Sequence, residues 1–181
     1  MRGYYTKYDC SAADLNPIGS ICKIDLKRFL TWGSTNLGYK TLGEIVQSKA
    51  TAELRPKDTK QVSEDDMGMS FEELRHYGTL RKMFGCGPVS MFNRLVHEWE
   101  EFPVATVAEK VKLFFRTYSM NRHKMTTLTP SYHAESYSPD DNRFDLRQFL
   151  YNISWDHQFK KIDQYVKEYE KEVENMKNEK K

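Results

Sequence analysis

The chain has 181 residues, of which 39% are hydrophobic and 30% charged, enough for one domain with a core of its own. Its 28 basic and 26 acidic side chains leave a formal charge of +2, which gives no global electrostatic case for nucleic acid or a membrane surface as partner. No apolar run approaches a membrane span, and three cysteines without ligand spacing argue against zinc and for reduced thiols, so a cytoplasmic chain is expected.

Met1 leads at once into aromatic and charged residues with no helix cap or signal-peptide core, as in a chain entered partway through a domain. Tyr8 to Ile18 has short-strand and turn character, with Asn16-Pro17 as a breaker. Ile21, Leu26, Phe29 and Leu30 predict an amphipathic helix ending near Gly33, and Leu42 to Gln47 a second, shorter one. Residues 49–69 read as a loop carrying Pro56 and the acidic cluster Glu64-Asp65-Asp66.

Ser70 to Glu73 is a capping box, in which serine and glutamate satisfy orphan amides reciprocally. Phe71, Leu74, Tyr77 and Leu80 follow at helical spacing until Gly85 and Gly87, and Pro88 then suits the first position of the next helix. Beyond Pro103 comes the clearest helix, with Val107, Val111, Phe114, Phe115 and Tyr118 on one face. A last helix carries a heptad-like stripe from Phe159 through Ile162, Val166, Tyr169 and Val173 to Met176. The balance is helical, and a helical bundle is the naive architecture.

Tyr118 to Tyr151 is nearly free of aliphatic residues and dense in anion-binding and hydrogen-bonding groups. Stretches of this length without secondary structure are usually functional or disordered, and the aromatics at 132, 137, 144, 149 and 151 oppose disorder. Asn121-Arg122-His123-Lys124 sets four polar groups side by side just past a helix. Cations there ordinarily offset the helix dipole and cap its carbonyls. Thr126, Thr127, Thr129, Arg143 and Arg147 further on supply what a polyphosphate ligand requires.

Lys23 lies in the first turn of a predicted helix, where free amides favour an anion, although most such lysines are merely solvated. Glu64, Asp65 and Asp66 suit either magnesium or, as readily, a favourable helix-dipole position. The histidines at 76, 97, 133 and 157 make no triad pattern with Cys or Ser. Met67 and Met69 suit either core or a ligand-facing wall.

Together YDCSAADLNPIGSICKIDL, ATAEL, QVSEDDMGMSFEEL and MNRHKMTTLTPSYHAESYSPDDNRFDLRQFLYN resemble the C-terminal part of the synthetase domain of eukaryotic-type glutamine-dependent NAD synthetase. The resemblance implies an α/β class, here the mostly helical C-terminal portion of a Rossmann-like, ATP-pyrophosphatase-type domain. It assigns residues 1–155 to that domain and 156–181 to a charged C-terminal helix or tail.

The activity it implies converts deamido-NAD to NAD with ATP and Mg2+, through an adenylylated intermediate that ammonia from a glutaminase domain then attacks. Carried over by position, Lys23 and Thr51 match ATP-binding residues. Asp14 matches the deamido-NAD segment, and His123 and Lys124 match a pair in a loop that closes over the substrates. The SGGxDS loop of the family is absent from this sequence, as is an amidase domain. The stretch is therefore expected to be inactive alone, while the full-length form is expected to be a homo-oligomer. The alternative is a non-catalytic nucleotide-binding or protein-interaction module.

Overall fold

The computed structural model describes residues 14, 15, 18, 21–50, 62–122 and 152–178. Within them lie α1 (Lys23–Asn36), α2 (Lys40–Gln47), α3 (Ser63–Met67), α4 (Phe71–Lys82), α5 (Pro88–Glu98), α6 (Val104–Met120) and α7 (Asp156–Asn178), and no strand. The helical expectation for this segment holds. Most of the predicted short strand at Tyr8 to Ile18 lies outside the described residues, as does Cys10.

Helix starts follow local chemistry. At α4 the Glu73 amide donates to Ser70 Oγ at 3.1 Å and the Ser70 amide to Glu73 Oε2 at 2.8 Å, the capping box that the sequence predicts. Pro88 opens α5, and the Gly87 amide before it donates to Ser90 Oγ at 2.9 Å. The Val89 amide reaches across to Gln158 Oε1 on α7 at 3.4 Å.

Two boundaries differ from expectation. The first helix does not stop at Gly33 but runs three residues on, to Asn36. Gly33 is instead a contact point, since a Cβ there would lie 3.1 Å from Leu42 Cδ1 of α2. The break falls at Gly38, whose φ of 73° suits glycine alone. In the predicted loop 49–69, Ser63–Met67 forms the short helix α3, closed by Gly68 at φ 64°. Its acidic first turn, Glu64 to Asp66, faces the favourable end of the dipole.

The core is built by α4, α5, α6 and α7, with α5, α6 and α7 packed pairwise and α4 against α5. Phe114, Phe115, Val107 and Val111 of α6 are fully buried, as are Tyr77, Met91, Phe92, Leu95 and Ile162. Tyr77 stacks on Phe114 with centroids 4.6 Å apart and meets Trp99 edge-on at 5.6 Å. Met69 joins this cluster and Met67 is buried too, so both act as core. The segment set apart by sequence at 156 thus supplies Phe159 and Ile162 to the same core. Val166 and Tyr169 of its stripe pack against that core, while Val173 and Met176 are exposed.

One buried charge ties α6 to α7. Lys112 donates to Asp163 on α7 and, at 2.8 Å, to Glu109 one turn back. Burial pulls its pKa down, but the hydrogen bonds that it donates to Asp163 and Glu109 outweigh that and raise it. The pair α1–α2 is different, since it packs on itself and on α4 and buries only Gly33.

Candidate functional site

Of the five residues that the sequence nominates, Thr51, His123 and Lys124 lie outside the described residues. Asp14 is exposed in a bend. Lys23 is the first residue of α1, exposed, with its ammonium 5.9 Å from the Phe71 ring centroid. No hydrogen bond or ion pair joins Asp14 to Lys23.

The surroundings of Lys23 refine its candidate role. Cys22 caps α1: its sulfur accepts from the Asp25 amide at 3.4 Å and its thiol donates to Asp25 Oδ2 at 2.8 Å. Burial and that bond raise the thiol's pKa, so it stays protonated. Asp25 also accepts from Arg28 Nη1 at 3.1 Å. Desolvation lowers the pKa of Arg75, but the charge of Asp25 beside it outweighs that and raises it. The helix N-terminus is therefore already capped, with a carboxylate in its first turn. Lys23 can meet a phosphate as a point charge beside that capped end.

The described residues do not form a magnesium cage. Glu64 accepts from the Phe71 amide at 2.7 Å, and no group of three His, Cys, Asp or Glu side chains among them is placed to hold a metal. The acidic cluster thus serves helix ends.

The ends of the predicted ligand loop are the informative part. The Asn121 amide and Nδ2 both donate to Thr117 O, at 3.0 and 2.7 Å, closing α6. Arg122, read in sequence as one of several anion binders, is 1% exposed and sits 5.1 Å from the Tyr118 ring. Arg81 of α4 lies 5.5 Å from the same ring. Where the chain re-enters, Trp155 Nε1 donates to Ser119 Oγ at 2.9 Å and its indole meets Phe115 edge-on at 5.3 Å. Trp155 holds a φ of 49°, the one non-glycine residue with positive φ among those described. Arg122 and Trp155, on either side of 123–151 in sequence, therefore both contact the C-terminal end of α6. Sequence reasoning missed Ser119 and Trp155, whose hydrogen bond spans 36 positions and leaves no local signature.

Comparison with known proteins gives a consistent result. The sequence model described as NAD synthase matches residues 1–128. Glutamine-dependent NAD(+) synthetase of Arabidopsis thaliana is 64% identical over 92% of this chain, which covers 23% of that protein. The mouse protein of the same name is 54% identical over 99% of this chain and 25% of its own length. Among solved structures, a glutamine-dependent NAD(+) synthetase from Cytophaga hutchinsonii superposes with a TM-score of 0.60 at 22% identity. It covers 84% of this chain and 23% of its own, and so supports a shared fold. The chain spans about a quarter of the length of the curated relatives it matches.

Proposed function

The chain belongs to the NAD synthase family, and on that premise we propose that it forms the C-terminal part of a synthetase that converts deamido-NAD to NAD. The observation that carries this reading is the family match over residues 1–128, backed by relatives more than half identical across nearly the whole chain. In the proposed reaction ATP adenylylates the nicotinate carboxylate and releases pyrophosphate. Ammonia then displaces AMP to form the amide. This is a ligase reaction that makes a C–N bond.

The proposal extends to parts that the helices alone do not contain. The described helices α1–α6 would belong to a Rossmann-like, ATP-pyrophosphatase-type domain over residues 1–155, with 156–181 as a charged C-terminal helix or tail. A glutaminase domain would supply ammonia in a cytoplasmic homo-oligomer. No helix among the described residues is long and apolar enough to cross a membrane. By itself the stretch would be inactive, because no glycine-rich phosphate cradle accompanies Lys23 in this sequence.

Within that scheme the residues take the following roles. Lys23 supplies one positive charge to the ATP phosphates, where electrostatic stabilisation dominates the chemistry. Thr51 assists at the same site, and Asp14 contacts deamido-NAD. His123 and Lys124, next in the chain after the buried Arg122, would meet deamido-NAD from the segment held at the end of α6. Mg2+, which the family implies, would when bound offset the charge of the phosphates. The described carboxylates offer it no ready cage, so its ligands are sought in the rest of the protein.

The test is ammonia-dependent NAD synthesis by the full-length protein, with Lys124→Ala beside the wild type. The expected outcome is synthesis by the wild type and a loss of about 100-fold in the mutant, the scale of removing one transition-state charge contact. Wild-type protein that makes no NAD overturns the function; a mutant as active as wild type overturns only the role of Lys124.

A further inference from the structure

The face between α4 and α5 carries a groove of about 280 Å³ that the proposed reaction does not use, lined by Arg75, His76, Thr79, Phe84, Arg94 and Glu98. Its volume is just below the range of about 300–1,000 Å³ usual for small-molecule sites, so it suits a compact ligand. Its chemistry is cationic on an aromatic floor.

Arg94 is the group that sets this groove apart. Its guanidinium lies over the Phe84 ring, 4.5 Å from the centroid, and it pairs with no carboxylate among the described residues. An arginine stacked on an aromatic face has its plane fixed and keeps its N–H edge for an acceptor. Phe84 is itself held: Arg81 Nη1 donates to Cys86 O at 3.0 Å across the turn, and the Phe84 amide reaches Thr79 O at 3.4 Å. The ring nevertheless remains 58% exposed. The one carboxylate on the lining, Glu98, lies within the same groove with its Oε2 3.8 Å from His76 Nδ1. Glu72 approaches the other nitrogen of that ring at 3.9 Å.

We propose that this groove is a second anion site, in which Arg94 forks two oxygens of a phosphoryl group and Arg75 and Thr79 donate from the α4 side. Planar, paired donors match phosphate geometry, and a pre-stacked side chain loses less freedom on binding than a solvated one. The site is distinct from Lys23, which is not part of the lining.

Calorimetric titration of inorganic pyrophosphate into the 181-residue chain, in a Lys23→Ala background that removes the positive charge proposed for the ATP phosphates, tests the assignment. Saturable binding that weakens with added salt is expected. Arg94→Ala should lower the affinity about tenfold or more, as loss of one charge-assisted paired contact does. Arg94→Lys, which keeps the charge but not the fork, should bind more weakly than the parent. Arg94 is exposed, so circular dichroism of the variants should be unchanged. No saturable binding, or equal affinity in the parent and a folded Arg94→Ala chain, overturns the proposal.

Discussion

The bundle α4–α7 and the hairpin α1–α2 follow the same local rules and reach opposite degrees of burial. In the bundle, aromatic and aliphatic stripes from four helices close on each other and leave Phe92, Phe114, Phe115 and Ile162 fully buried. In the hairpin, close approaches at Gly33 and Gly43 join the two helices, while Phe29, Trp32, Leu37, Tyr39 and Ile45 remain more than half exposed. Helical periodicity thus predicts helices equally well in both places. Stability comes from what the apolar face meets, not from its pattern.

The largest expected effect breaks the bundle side of that contrast. Phe114→Ala removes a ring in contact with Tyr77, Phe115 and Tyr118 and should cost about 3–5 kcal/mol in urea unfolding of the chain. A cost below about 1 kcal/mol would mean that the bundle is not the stabilising unit. Next in size is Tyr77→Phe. The phenol is buried and its oxygen has no hydrogen-bond partner among the described residues, so deleting it should stabilise the chain by about 1 kcal/mol.

The same variant has a pH signature. Burial, and secondarily the charge of Glu73, holds the Tyr77 pKa well above the ordinary tyrosine value of 10.0. The folded state therefore keeps a proton that the unfolded chain releases. This contribution is fully present below about pH 10 and is lost as pH rises beyond it. Cys22 and Lys112, whose pKa values are also raised, act with the same sign. Stability should fall on the alkaline side, and Tyr77→Phe should flatten that fall. Equal alkaline slopes for mutant and wild type would contradict the assignment.

The smallest effect sharpens the hairpin side. Trp32, 51% exposed and touching mainly Phe29 at 6.2 Å, should change stability by no more than about 0.5 kcal/mol when replaced by alanine.

Legibility in the sequence followed the range of the interaction. The Ser70–Glu73 box, Pro88 at the start of α5 and the apolar face of α6 were all readable, because each is written within one or two turns. Gly33 misled because glycine marks both helix ends and close helix contacts, and the deciding partner, Leu42, lies on another helix. Arg122 misled for a related reason. Beside His123 and Lys124 it reads as one more cation, yet Tyr118 four residues back draws it into the core. Of the candidate site, Lys23 could be found by position and charge, while the thiol cap and Asp25 that limit its helix N-terminus needed side-chain geometry. The Ser119–Trp155 bond was invisible, being a contact between segments far apart in sequence.

That bond is where fold and proposed function meet: it joins Trp155 to Ser119 near the C-terminal end of α6, beside Arg122, the residue that precedes His123 and Lys124 in sequence. Trp155→Phe in the full-length protein tests this most directly, because it deletes the 2.9 Å bond to Ser119 and keeps an aromatic ring against Phe115. Steady-state kinetics should show KM for deamido-NAD raised about tenfold, the loss of roughly 1.4 kcal/mol of substrate positioning, with KM for ATP and the melting temperature nearly unchanged. A folded Trp155→Phe enzyme with wild-type KM for deamido-NAD would contradict the account.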